Sequence, residues 1–260
     1  MRILITNDDG INAPGLAVLH DIASAIAGPT GEVWTVAPAQ EQSGVGHCIN
    51  YTHPTMVTQL EPRRFAVQGS PADCVLAALF DILPGEPDLI LSGVNRGNNA
   101  AENVLYSGTI GAAMEAALQG HRAIALSQYY GPRNMDPEHA FAAAAAHGVA
   151  TINRLLAADV WDDADYCLFW NVNFPPVPAA DVAGFQVTTQ GFRRGGHHHM
   201  VRAETPGHRH FLWVKGGDQQ RATGAGTDAQ ANVDGYISAT PMRADLTAHD
   251  VIDQMRDRLA

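Results

Sequence analysis

The stretch ILITNDDG, residues 3–10, decides the fold. Its first half, Ile3, Leu4, Ile5 and Thr6, lacks the alternation of a half-buried strand, so it predicts a strand covered on both faces, as in a parallel sheet. Its second half, Asn7, Asp8, Asp9 and Gly10, is polar and turn-forming and ends the strand at once. Three similar short runs follow at residues 33–37, 88–92 and 123–127, each bounded by Gly, Pro or Asn.

Between these runs the period changes to that of a helix. Leu16, Leu19, Ala23 and Ile26 share one stripe across residues 16–26, residues 72–80 form a second helix with Pro71 near its first turn, and a third spans residues 110–118. The alanine-rich segment 138–156 predicts a long packing helix. Strands alternating with helices mean βαβ units and an α/β fold with a mostly parallel sheet.

After a strand at residues 167–172, Phe174, Pro175, Pro176 and Pro178 punctuate the chain. Residues 186–189 and 210–214 then alternate like the arms of an antiparallel hairpin. The loop between them carries Arg193, Arg194, Arg202 and Arg209 with five histidines, and its polarity predicts a position outside the core. The run His197, His198 and His199 is expected as solvated loop rather than metal site. Residues 1–180 are thus expected as the core of a single domain, with residues 181–260 as hairpin and C-terminal segment. Within the latter, Val251, Ile252, Met255 and Leu259 have the spacing of a docking helix.

A chain of 260 residues with 46% hydrophobic content can bury a full core without staples. Cys48, Cys74 and Cys167 have no paired ligand spacing and are expected as reduced thiols. The early Asp8 and Asp9 are foreign to a secretory leader, and no segment is apolar enough for a membrane span, so a cytoplasmic protein with no membrane partner is expected. A formal charge of -11 opposes binding to long nucleic acid. A small anion remains accessible where a metal or a helix N-terminus supplies local positive potential.

Ligands of open α/β sheets bind beyond the carboxyl ends of the strands. Three such ends are unusual here: the first strand runs into Asp8 and Asp9, the second leads through Pro38 to Ser43, and the strand ending at Ser92 leads to Asn95 and Asn99. Two carboxylates, a hydroxyl and a carboxamide form an all-oxygen set suited to one hard divalent cation, Mg²⁺ or Mn²⁺. Asn7 to Gly10 would also serve as an Asx-type turn capping the next helix. The second signal is Ser107, Gly108 and Thr109, a small, hydroxyl-rich helix opening suited to an anion, and equally to an ordinary helix cap.

At these residues the chain resembles a family. Residues 3–10, 92–99 and 106–113 are similar to the stationary-phase survival protein SurE family of metal-dependent 5'/3'-nucleotidases, and the similarity continues in residues 171–175 and 227–247. The resemblance implies metal ligands at Asp8, Asp9, Ser43 and Asn95, with the two aspartates also catalytic, and phosphate contacts at Asn99, Ser107, Gly108 and Thr109. It further implies a Rossmann-like core, an extended hairpin, and a C-terminal arm exchanged between subunits of a homodimer or tetramer. Ala101 and Asn50 stand where the family has Gly and Thr.

The implied reaction is hydrolysis of nucleoside 5'-monophosphates, with 3'-monophosphates and other small phosphomonoesters as further substrates. Water is the expected nucleophile, with direct attack by an aspartate as the alternative. A non-hydrolytic nucleotide-binding regulator would share the phosphate cradle, but adjacent carboxylates disfavour a pure anion binder unless a metal offsets them. A nicotinamide-dependent oxidoreductase is opposed by carboxylates standing where a dinucleotide loop needs bare amides. Glu115 and Arg96 are expected as ion-pair or surface residues.

Overall fold

Ile3, Leu4 and Ile5 are fully buried in β1 (Arg2–Thr6), inside a nine-stranded sheet. The computed structural model describes residues 1–136, 139–161, 165–195, 198–204 and 209–259. In chain order β1 is followed by β2 (Glu32–Pro38), β3 (Val57–Glu61), β4 (Arg64–Val67), β5 (Leu89–Arg96), β6 (Ala123–Gln128), β7 (Phe169–Phe174) and β8 (Gly184–Val187). A separate hairpin of β9 (His199–Glu204) and β10 (His210–Lys215) intervenes before β11 (Tyr236–Met242) returns to the sheet.

The spatial order is β3-β4-β2-β1-β5-β6-β7-β11-β8. The strands from β4 to β7 are parallel, while β3 and β11 run antiparallel to β4 and β7. The chain builds outward from β1 through β2 on one side and through β5 on the other, so the crevice beyond the ends of β1 and β5 is a topological switch point.

Helices α1 (Pro14–Ala27), α2 (Pro71–Ala77), α3 (Gly108–Leu118) and α4 (Ala142–Ala158) cover the sheet. Alternation along β1 divides the core. Ile3 and Ile5 pack with Leu16, Leu19 and Ile22 of α1 and with Ile152 and Leu155 of α4, whereas Leu4 packs with Val75 of α2 and with Ile110 and Ala113 of α3. Burial of each such side chain contributes about 1.5–3 kcal/mol. The short α5 (Asp228–Val233) precedes β11, and α6 (His249–Leu259) ends the chain. Among the described residues no helix is long and apolar enough to cross a membrane.

The α/β class and the parallel strand order agree with expectation, and three details differ. Helix α4 begins at Ala142, because the backbone bonds from His139 to Asp136 and from Ala142 to His139 close tight turns first. The arms of the hairpin are β9 and β10, paired from His199–Lys215 to Glu204–His210; residues 184–187 instead pair in parallel with β11 inside the main sheet. Alternation reports a strand with two unlike faces but does not name its partner. Arg193 is fully buried, not solvated, because Glu102 and backbone carbonyls take up its charge and donors. Of the expected histidine run, His197 lies outside the described residues, and His199 opens β9.

Replacing residues 199–215 with a short Gly/Ser connector is expected to leave cooperative unfolding intact, since both strands are largely exposed. Extending the deletion back through Arg193 leaves Glu102 without its buried partner and is expected to cost about 3–5 kcal/mol. Urea titration of the two deletions separates these outcomes.

Candidate metal and phosphate site

Asp8 and Asp9 follow directly on β1, and three other segments reach them. The amide of Gln42 donates to the Asp8 carbonyl at 2.7 Å, bringing in the loop that carries Ser43. The amide of Arg96, at the end of β5, donates to Asp9 Oδ2 at 3.0 Å. At the start of α3, Thr109 donates to Asp8 twice, from its amide to Oδ2 at 3.1 Å and from its hydroxyl to Oδ1 at 2.8 Å.

Local sequence explains these approaches. Asn7 closes its turn by donating from Nδ2 to the Gly10 carbonyl and accepting from the Gly10 amide on Oδ1. A Cβ on Gly108 would stand 2.9 Å from Asp8 Cβ, so only glycine lets the carboxylate seat on the helix. A Cβ on Gly111 would stand 2.5 Å from the Gly46 carbonyl, and this absence of bulk lets the Ser43 loop lie on the first turn of α3. Pairing of β5 with β6 shifts register between Ser92 and Asn95, where Gly93 has a φ of 135° and no room for a side chain beside the Leu126 carbonyl. That irregularity leaves Gly93 and Val94 without register partners, and pairing resumes at Asn95 opposite Ser127.

The donor set fits a hard cation because its hydrogens are bound elsewhere. Asn95 gives Nδ2 to the Gly97 carbonyl at 3.0 Å, which leaves Oδ1 as the free end of the amide. Ser43 gives its hydroxyl hydrogen to Glu41 at 2.6 Å, leaving oxygen lone pairs. Asp9 keeps Oδ1 without a hydrogen bond among the described residues. Among those residues no three His, Cys, Asp or Glu side chains gather into a metal group, so the set is two carboxylates with neutral oxygens.

Electrostatics agrees with the donors. Burial, and then the charge of Asp9, push the Asp8 carboxyl up to about 6 against the lowering effect of Thr109. Burial also raises Asp9; the Arg96 amide opposes this, the charge of Glu41 adds to it, and the Arg96 charge opposes it again. Two neighbouring carboxylates held in this way are poised to bind a divalent ion.

The anion side is narrower than the sequence suggested. Thr109 is committed to Asp8 through both of its donors. Ser107 caps α3 by accepting from the Ile110 amide, which leaves its own hydroxyl hydrogen and the Gly108 amide as the donors of the first turn. Asn99 is tied to the sheet: its amide donates to Asn173 Oδ1 at 2.7 Å, its carbonyl accepts from Asn171 Nδ2 at 2.8 Å, and Nδ2 lies 2.8 Å from the Ser127 hydroxyl. That hydroxyl can donate or accept, so the amide can also turn Oδ1 to it and free two N–H groups for an anion.

One supporting residue was not singled out from the sequence, and two others take up the roles expected of them. Glu41 gave no signal beyond its place two residues before Ser43. Glu115 proves to pair with His47 at 2.6 Å behind the cradle. Arg96 lies over the Tyr130 ring at 5.4 Å. Beside the Ser43 loop, a cavity of about 660 Å³ is lined by residues including Gln42, Val45, Tyr51, Ser70 and Asp73.

The comparisons with known proteins bear on this geometry. A family model described as "Survival protein SurE" matches residues 3–197. A relative named 5'-nucleotidase SurE from Roseobacter denitrificans is 66% identical over 253 residues, covering 97% of each chain. One of the same name from Jannaschia sp. is 64% identical over 262 residues and covers both chains fully. Among solved structures, the SurE protein from Aquifex aeolicus superposes with a TM-score of 0.82 at 31% identity over the whole of both chains. Carboxylates on β1, a hydroxyl loop, a bulged β5 and a small-residue helix start thus occur in a chain that belongs to the SurE family.

Proposed function

We propose that this chain is a 5'-nucleotidase, a phosphomonoesterase that hydrolyses nucleoside 5'-monophosphates, and also 3'-monophosphates, to nucleoside and inorganic phosphate. The observation that carries this is the double hydrogen bond from Thr109 to Asp8, which sets buried carboxylates against the start of an eleven-residue helix. A cation-binding pair and an anion-binding helix start so close together suit a phosphate held between them.

One Mg²⁺ or Mn²⁺ at Asp8, Asp9, Ser43 and Asn95 would neutralise charge on the phosphoryl oxygens. Ser107 and Gly108 supply donors to the same oxygens, and Asn99 adds its amide. Both Asp8 oxygens accept from Thr109, so Asp8 acts as an anchored ligand. Asp9, with Oδ1 uncommitted, orients the attacking water and takes its proton. The cavity beside Ser43 has the size for the nucleoside. Three free thiols support a reducing cytoplasmic setting.

Assembly as a homodimer or tetramer belongs to the same reading. Leu259 is 79% exposed on α6, where Val251 and Met255 share its apolar side, Leu246 ahead of the helix is 85% exposed, and Phe211 and Trp213 project from β10. Such surface calls for a partner subunit. Truncation before Asp245 is expected to shift sedimentation toward monomer; an unchanged assembly would remove α6 from the interface.

For the site itself, Asp8→Asn and Asp9→Asn are each expected to lower AMP turnover by about 100-fold or more with the melting temperature retained. Ser43→Ala and Asn95→Ala remove neutral ligands, so higher Mn²⁺ is expected to restore part of their activity. Wild-type turnover of both aspartate variants at limiting metal would exclude this centre.

Linkage gives a second test. A carboxyl raised from 3.8 to about 6 binds its proton more tightly folded than unfolded. Its contribution is therefore full at low pH and lost as pH rises through about 6. The metal-free protein is expected to lose this stability between pH 4 and pH 7, and Mn²⁺ to raise the melting temperature more at pH 7 than at pH 5. Equal metal-induced shifts at the two pH values would contradict Asp8 as a ligand.

A further inference from the structure

Arg193 is the largest fully buried side chain among the described residues. Its amide donates to Glu102 Oε2 at 3.0 Å, and its guanidinium donates to Glu102 Oε1 at 3.2 Å, the Ala100 carbonyl at 3.1 Å, Asn98 Oδ1 at 3.1 Å and the Gln219 carbonyl at 3.2 Å. Three of these four partner residues lie in the turn 98–102, which runs from just beyond β5 into the start of the 3-10 turn Ala101–Tyr106. Burial raises Glu102, but its hydrogen bonds, chiefly from Arg193, outweigh burial and hold the carboxyl below the usual range.

The turn needs such a grip. Ala101 has a φ of 55°, in the left-handed region that costs a non-glycine residue about 1–2 kcal/mol. Asp228 Oδ2 accepts the Ala101 amide at 3.0 Å, and Gln190 Nε2 donates to the Ala101 carbonyl at 3.0 Å. Asn99 sits inside this turn, anchored on its other side by Ser127, Asn171 and Asn173. A buried ion pair is seldom more stable than apolar residues of the same volume, so the value of the pair here is geometric. Its charge is balanced by Glu102, so the guanidinium acts on the turn rather than on a ligand.

We propose that Arg193 is a positioning residue of the nucleotidase site, holding the 98–102 turn in the shape that presents Asn99 to the phosphate. The proposal rests on Asn99 being a phosphate contact. Because Arg193 and Gln219 stand on either side of the hairpin β9–β10, and Gln219 Oε1 accepts from Asn103 at 2.7 Å, the same contacts anchor the hairpin on that turn.

The test uses the full chain and inorganic phosphate as a competitive inhibitor, with Mn²⁺ affinity from electron paramagnetic resonance and the melting temperature measured alongside. Arg193→Lys keeps a cation for Glu102 but loses the fork that reaches Asn98, Ala100 and Gln219 together. It is expected to stay folded and to bind Mn²⁺ as the wild type does, while its phosphate Ki rises about tenfold, matching Asn99→Ala. Arg193→Met is the second variant, filling the volume without donors, with the same expected Ki. A lowered melting temperature with wild-type Ki in Arg193→Lys, beside a weakened Asn99→Ala, would reduce Arg193 to a structural role and overturn the proposal. A wild-type Ki in Asn99→Ala would remove Asn99 from the phosphate site, and the proposal with it.

Discussion

Two adjacent carboxyl groups at the end of a buried strand are the constraint on which the rest of the site depends. Asp8 is 4% exposed, and ionising it beside Asp9 without a counter-ion is unfavourable enough to push its carboxyl up to about 6. The fold meets this with fixed dipoles: the Thr109 amide and hydroxyl on one carboxylate and the Arg96 amide on the other. Those hydrogen bonds bring β5 and α3 to one place, the Gln42 amide on the Asp8 carbonyl adds the Ser43 loop, and the close approaches explain why Gly108 and Gly111 occupy the first turn of α3. The residual negative charge is what a divalent cation needs.

Much of this was legible in the sequence because it is local. A strand reads from a short apolar run, the polar residues after it fall at the strand's carboxyl end, and parallel order follows from the intervening helices. Asp8, Asp9, Ser43 and Asn95 could therefore be named as candidates from three strand ends, and the resemblance to the family implied the same four. Gly108 was legible as a small residue at a helix start, although the close seat it gives Asp8 was not.

What escaped is non-local. Arg193 shares its composition with Arg194, Arg202 and Arg209 in one basic segment, and nothing in residues 186–214 distinguishes the buried arginine from the exposed ones. The distinction lies in Glu102 and Asn98, more than ninety positions earlier in the chain. Ala101 likewise showed only as a departure from the family's glycine, and its φ of 55° supplies the physical reason glycine suits that position. The strand 184–187 could not be told from a hairpin arm, since alternation is the same whichever neighbour a strand takes.

Net charge adds a last step. A phosphate monoester approaching a protein of formal charge -11 meets a repulsive field, so attraction must be local. Three arginines are already engaged. Arg193 is neutralised by Glu102, Arg64 donates to the Ile11 carbonyl and Asn12, and Arg96 lies over Tyr130. The first turn of α3 contributes a fraction of a charge, and Asp8 already takes the two Thr109 donors. On the proposed reading, a cation would therefore be the principal source of positive potential for the substrate as well as the partner of the carboxylates. Asn99, being neutral, would contribute direction rather than attraction on that reading, so its value would depend on how firmly the turn around it is held.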